Sequence, residues 1–350
     1  MFVASVCEAV LTTDGLRCTT GHFYVGLEMT SILGSLNAST LAVAQVAVRM
    51  MARRAVRPRP TIPTAHQGAS MNVTPRGAFR AAAGVVLALA LAFAPALRAE
   101  DGKIEILWLG QSATRIKTVT GKVIVVDPWL INNPKTPQQY KDLDALGKVD
   151  LILVTHAHAD HFEDAPALAK KNNAKIVSPA GLQSTMISLG MVPAELAYRM
   201  NKSGTAAPIG GNIKITQVHA EHDSELTWTN PETKKRETHF GGEPVGYIIE
   251  LENGFKIYHM GDTGVFGDMK FIGEFYKPDL IMIPIGGHFV LGPKEAALVT
   301  REYLKPKYAI PIHYATNPFL VGTPAQYMEA LGTTSTKVFP INPGDKLTFP

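Results

Sequence analysis

The chain reads as an αβ/βα sandwich, two sheets packed face to face with helices outside, and three observations predict it. Strand-like apolar runs alternate with helical stretches through residues 100–350. Some of these runs are apolar at nearly every position, as strands buried on both faces are. The order of elements in the first half recurs in the second, which favours two similar sheets over one doubly wound sheet.

Each element follows from its residues. Residues 103–109 (KIEILWL) and 122–126 (KVIVV) read as strands, separated by polar turn chemistry around Gly110 and Gly121. Residues 150–155 (DLILVT) form a buried strand, 163–172 have helical character, and 175–177 form a short strand. In the second half, 212–218, 245–251, 255–259 and 279–285 are strand-like. Residues 294–304 then read as a helix, 308–312 as a strand and 324–331 as a last helix. Residues 223–244 are polar and are expected to be a solvated loop; Trp228, His239 and Phe240 within it suggest a lid over a site.

Composition divides the 350 residues before this domain begins. Residues 1–99 hold nine Lys and Arg against three Asp and Glu, a net of +6, while residues 100–350 hold 25 against 27, a net of −2. The overall +4 therefore belongs to the N-terminal segment, and no basic excess remains on the domain to suit nucleic acid. Both cysteines, Cys7 and Cys18, lie outside the domain, which excludes a disulfide scaffold or a thiolate metal site within it. Residues 71–99 have the order of a signal peptide: Arg76 and Arg80, an apolar stretch over 81–94, then Ala99 as a small residue at the cut. Residues 1–70 are expected to be an over-extended reading frame or a disordered extension, with Met71 as the true start. A periplasmic or secreted domain of residues 100–350 follows, membrane-anchored only if the signal stays uncut.

The chemistry concentrates in residues 155–161, T-H-A-H-A-D-H, directly after a buried strand. On an extended backbone alternate side chains point the same way, so His156 and His158 reach one position. The turn that follows aims Asp160 and His161 at a neighbouring one. Further candidates each sit just after an apolar run, where α/β folds place their sites: His222, Asp262 in Y-H-M-G-D-T, and His313 in P-I-H-Y. Two metal sites can be assembled: His156, His158 and His222 on one, Asp160, His161 and His313 on the other, and Asp262 bridging. His219 is the alternative to His222. Imidazole and carboxylate ligands suit Zn²⁺ and also allow Mn²⁺ or Fe²⁺. No G-x-G-x-x-G follows a strand, and neither a phosphate-binding loop nor a G-x-S-x-G nucleophile motif occurs.

This pattern resembles the metallo-β-lactamase-fold superfamily. W-L-G-x-S, D-P-W, G-E-P-x-G-Y, Y-H-x-G-D-T and P-I-H-Y together resemble the bacterial metal-dependent hydrolases related to ascorbate-6-phosphate lactonase, from about Ile104 to Asp345. The resemblance implies a four-layer sandwich and a hydrolase in which a hydroxide held by two divalent ions, zinc by preference, attacks a small ester, lactone or phosphoester. Asp160 would orient the nucleophile and pass a proton to the leaving group. His288 and Tyr314 are candidates to bind the oxyanion, and Asp127 to support a ligand imidazole. His259 and His239 are expected to be structural or solvent-facing. Gln111 stands where the family's opening motif commonly has His. A phosphodiesterase of the same fold, a β-lactamase and a non-catalytic binding protein are the alternatives; the bridging Asp262 speaks against the antibiotic-degrading classes. The partner expected is a small molecule, with neither nucleic acid nor a stable membrane contact, and the sequence leaves room for a homo-oligomer.

Overall fold

The computed structural model describes residues 102–350 and two strands near the N-terminus, β1 (Cys7–Thr12) and β2 (Gly15–Thr20), which pair antiparallel. The signal-peptide reading of 71–99 and most of 1–70 lie outside the described residues. The chain divides into two compact units, Met1–Ala94 and Pro95–Pro350. The second unit carries the remaining elements.

Two seven-stranded sheets form it. The first has β3 (Ile104–Trp108), β4 (Thr114–Lys117), β5 (Val123–Val126), β6 (Leu151–Leu153), β7 (Lys175–Pro179) and β8 (Ala197–Met200) in sequence order. The second runs through β9 (Thr205–Ala206), β10 (Lys214–His219), β13 (Val245–Glu250), β14 (Lys256–His259), β15 (Leu280–Pro284), β16 (Tyr308–Ile312) and β17 (Lys337–Val338). Between β10 and β13 stands a hairpin of β11 (Glu225–Thr229) and β12 (Arg236–Phe240), and β18 (Lys346–Phe349) returns to the first sheet beside β3. Each sheet changes from antiparallel to parallel pairing halfway across, at β5–β6 in one and β14–β15 in the other. The repeat of halves read in the sequence is this repeat of sheets.

Period-two alternation explains why the strands are apolar on both sides. Ile104, Ile106, Ile124, Val126, Leu151 and Leu153 face Tyr247, Ile249, Ile257, Leu280, Met282 and Ile310 in the layer between the sheets. The alternate residues, Leu107, Val125 and Ile152, turn to the helices α2 (Ala165–Asn172) and α3 (Ala180–Ser188), after the single turn α1 (Ala159–Phe162). On the far sheet Ile248, Tyr258, Ile281 and Ile283 pack against α4 (Met269–Tyr276), α5 (Pro293–Leu298) and α6 (Pro324–Leu331). Each fully buried Leu or Ile contributes about 1.5–3 kcal/mol, so three stacked apolar layers hold the four-layer sandwich.

Three sequence expectations change, and elements are added. Residues 223–244 contain a hairpin where a loop is expected, because Leu226 is buried under it and alternates with exposed Glu225 and Thr227. β4 fills the expected turn region between 110 and 121; its T-R-I-K hides only two residues, too few to show a period. The helix expected over 294–304 is α-helical only to Leu298 and continues as a π-turn, Val299–Leu304. Among the added elements, α4 buries Met269 and Ile272 and leaves Phe271 and Phe275 exposed.

One polar contact ties the sheets together at the rim where the parallel strands end. Tyr247, buried in β13, donates its hydroxyl to the Val154 carbonyl at 2.8 Å, with the Val177 carbonyl at 3.1 Å, and accepts from Gln217 Nε2 at 3.2 Å. Tyr247→Phe leaves the Val154 carbonyl and the Gln217 amide without this partner, while the Val177 carbonyl keeps the Val154 amide at 2.9 Å; it should lower stability by about 1–3 kcal/mol, read as a fall in the urea midpoint at unchanged slope, and an unchanged midpoint would show the bond to be dispensable.

Candidate metal centre

The site is assembled where strands from both sheets end. After β6 the chain continues through Thr155 and His156 into the single turn α1, which carries Asp160 and buried His161. Asp127, just past β5, fixes that path. Its N–H donates to the Leu153 carbonyl at 2.9 Å, and its buried carboxylate accepts from Thr155 N (2.7 Å), Thr155 Oγ1 (2.7 Å) and His161 Nδ1 (2.8 Å). With Nδ1 so engaged, His161 presents Nε2 to the centre.

Two glycines let other segments approach. Gly261 of G-D-T has φ +60°, and a Cβ there would lie 2.8 Å from the Thr155 side chain. A Cβ on Gly241 would collide with the Ser224 carbonyl and the Ala157 side chain. Ser224 Oγ accepts from Ala157 N at 3.1 Å and donates to the Gly241 carbonyl at 3.0 Å, so the hairpin is stapled to the residue between His156 and His158.

The seven residues singled out as ligands come together. His156, His158 and His222 form one group, and Asp160, His161, Asp262 and His313 another; within each group the ligand atoms lie within 4.8 Å of one another. Asp262 reaches both: Oδ1 is 3.2 Å from His161 Nε2, and Oδ2 is 3.0 Å from His313 Nε2 and 3.6 Å from His222 Nε2. His161 Nε2 and Asp262 Oδ1 are buried without an aligned hydrogen bond. Orphaned nitrogen and carboxylate atoms aimed at one point fit a divalent cation, which would satisfy both.

The electrostatics follow from burial and mutual charge. Burial lowers the pKa of His156, and the charge of His161 pushes the same way; burial likewise lowers His222. Burial also opposes charge on His161 and His313, but carboxylates outweigh it: Asp262, Asp160 and Asp127 hold His161 well above its ordinary value, and Asp262 and Asp160 raise His313 to about 9. In return, although burial works the other way, the facing His161 and His313 hold Asp160 and Asp262 well below the usual carboxylate range. His156 and His222 thus offer neutral imidazoles, and Asp160, His161, Asp262 and His313 form an ion-paired cluster whose histidine protons a metal would displace.

Other candidates are placed elsewhere. His219 lies outside both groups, near Lys202 Nζ (3.1 Å) and Glu221 Oε2 (3.3 Å), leaving His222 as the gathered histidine. Tyr314 is withdrawn from oxyanion binding: its ring packs on Trp108 and its hydroxyl donates to the Ile341 carbonyl at 3.3 Å, while His313 beside it enters the centre. His288 is withdrawn too. It is exposed, stacked on Phe319, and its neighbour Phe289 lines the cleft instead. His259 is structural, buried with Nε2 3.0 Å from the Ser112 carbonyl. His239 rests beside Glu237 on the hairpin.

Above the centre opens a cleft of about 540 Å³. The segment expected as a lid forms part of its wall as the hairpin, through Glu225, Thr227 and Arg236, whereas Trp228, His239 and Phe240, the residues that suggested the lid, do not line it. Glu225 Oε2 lies 2.9 Å from His158 Nε2. Gln111, buried at φ +50°, donates Nε2 to Asp160 Oδ2 at 2.8 Å and lies 2.7 Å from His313 Nε2, so the residue in the family's His position still touches the centre. Glu225, Thr227 and Arg236 carry no sequence signal of their own; only the strand alternation of 225–229 and 236–240 would have grouped them.

Asp127→Ala leaves the Thr155 amide, the Thr155 hydroxyl and His161 Nδ1 buried without their acceptor, and it should cost about 3–5 kcal/mol. The measurement is urea unfolding beside wild type; a loss below about 1 kcal/mol would show that solvent or another group replaces the carboxylate.

The model of the beta-lactamase superfamily domain matches residues 122–314, a stretch that holds all seven clustered residues. A UPF0173 metal-dependent hydrolase of Cupriavidus necator is 62% identical over 257 residues, 73% of this chain and 89% of that protein. Among solved structures, Igni18, a metallo hydrolase from the archaeon Ignicoccus hospitalis, is 30% identical with a TM-score of 0.60, covering 71% of this chain and 99% of that one. YhfI of Bacillus subtilis, a metallo-β-lactamase fold protein, is 12% identical with a TM-score of 0.52 over 71% of this chain and 100% of its own, and shows the fold alone. The chain belongs to the UPF0173 metal-dependent hydrolases of the β-lactamase superfamily and has the metallo-β-lactamase fold.

Proposed function

We propose that this hydrolase works with two divalent ions, zinc by preference, on a small ester, lactone or phosphoester. The observation that supports two ions is Asp262, whose carboxylate stands between the histidines of both groups. His156, His158 and His222 would hold one ion, Asp160, His161 and His313 the other, and Asp262 would touch both. A bound pair of this kind lowers the pKa of water and stabilises an oxyanion.

The protein's own residues supply position and proton handling. Asp160, half-buried at the cleft floor, is held below the usual carboxylate range by the charged His161 and His313 in the metal-free chain, and bound cations would keep it ionised in their place. The Gln111 amide fixes its Oδ2. Asp160 therefore accepts a proton from the attacking water and delivers it to the leaving oxygen as the scissile bond breaks, leaving acid and alcohol as products. Asp127 keeps the His161 ring oriented, and Glu225 does the same for His158. We infer export to the periplasm from residues 71–99.

Elemental analysis of the purified chain should find about two metals per chain, and His156→Ala with His161→Ala should lose them. Asp160→Ala should lower turnover of p-nitrophenyl acetate, a γ-lactone or bis-p-nitrophenyl phosphate by about 100- to 10,000-fold. A wild type that holds two metals and cleaves none of these, or cleaves only nitrocefin, overturns the substrate reading. One tightly held metal in a fully active protein overturns the dinuclear one.

A further inference from the structure

Among the described residues, Arg236 is the one Lys or Arg in the wall of the cleft, and the hairpin puts it there. Alternation along the two strands sorts the hairpin into faces. Leu226 is buried and Trp228 partly buried against the first sheet's helical layer, with Glu237 opposite Trp228 and His239 opposite Leu226. The other face carries Glu225, Thr227, Arg236 and Thr238, with Arg236 opposite Thr229 and Thr238 opposite Thr227. Glu225 is at the metal end of this face, bonded to His158. Arg236 pairs four residues further along β11, a backbone separation of about 13 Å that its long side chain shortens.

Arg236 differs from the other arginines of the domain. Arg115 pairs with Glu105 at 3.0 Å, Arg301 pairs with Glu302 at 2.8 Å, and Arg199 donates to Ser184 Oγ at 3.0 Å. Arg236 has no such partner among the described residues, although Asp223 and Glu225 share its cleft. A guanidinium offers a planar fork of donors that fits a carboxylate or phosphate through two parallel bonds.

We propose that Arg236 binds an anionic group of the substrate, a carboxylate or a phosphate, at the end of the cleft remote from the reacting bond. The hydrolysed compound is then an ester, lactone or phosphoester with a second, uncleaved acidic group. Thr227, on the same face, adds a hydroxyl donor beside that group. This inference rests on the hydrolase reading above for the location of the reacting bond.

The test needs no turnover. Calorimetric titration of the full metal-bearing chain compares suberate with octanoate: either acid can place one carboxylate at the metals, but only suberate carries a second one. Wild type should bind suberate about tenfold more tightly. Arg236→Ala should bring the two acids to equal affinity, Arg236→Lys should keep part of the difference, and Arg301→Ala, outside the cleft, should keep all of it. A phosphonate of matching length identifies the preferred anion, according to whether it binds more or less tightly than suberate. No preference in wild type, no binding of either acid, or a preference that survives in Arg236→Ala overturns the proposal. If the preference behaves as expected while no ester, lactone or phosphoester is cleaved, the anion site stands and the hydrolase reading falls; cleavage without the preference gives the reverse.

Discussion

The centre depends on one buried carboxylate. Asp127 sits at a bend with φ +47° and accepts from the Thr155 amide, the Thr155 hydroxyl and His161 Nδ1, all without exposure to solvent. These bonds join the end of β5 to the segment after β6, and that segment carries four of the seven clustered residues. A carboxyl group so deep is costly unless its oxygens find donors, and here the donors belong to the segment that carries the clustered residues. The energy that keeps Asp127 buried is thus the same energy that orients His161.

Part of the backbone strain of the domain lies at this rim. Gln111, Asp127 and His313 adopt left-handed backbone conformations that cost side-chain-bearing residues about 1–3 kcal/mol each. All three lie at strand ends on the rim where the two sheets meet. Bonds between the sheets hold them: His313 N donates to the Gln111 carbonyl at 3.0 Å, and Val245 N to the Thr155 carbonyl at 3.0 Å. The apolar layers beneath are wide enough to absorb that cost, so the rim can be shaped for chemistry instead of local comfort.

Most of the fold and the whole ligand cluster were legible in the sequence, for a common reason. Strands buried on both faces leave runs such as D-L-I-L-V-T that no surface element imitates, and ligands placed at their ends sit next to those runs in the chain. His156, His158, Asp160, His161, Asp262 and His313 therefore announce themselves by position. His222 did so only with His219 as a rival, because only two residues separate the two and the bend after β10 decides which ring turns inward. Tyr314 was singled out for its place beside His313 and His288 for its I-G-G-H-F run, and neither tells which way a side chain points. Gln111 looked like a lost family residue, yet its amide holds Asp160.

By itself the sequence determined the two-sheet architecture and named the seven residues that cluster at its rim. Both follow from local facts: strand periodicity, residue type, and placement at strand ends. The tertiary structure alone decided the place of Asp262 between the two groups of histidines, the inward turn of His222 and the hairpin wall of the cleft with Glu225 and Arg236. These are relations between segments far apart in the chain. They depend on sheet pairing and on close backbone approach at Gly241 and Gly261, which no short stretch of sequence encodes.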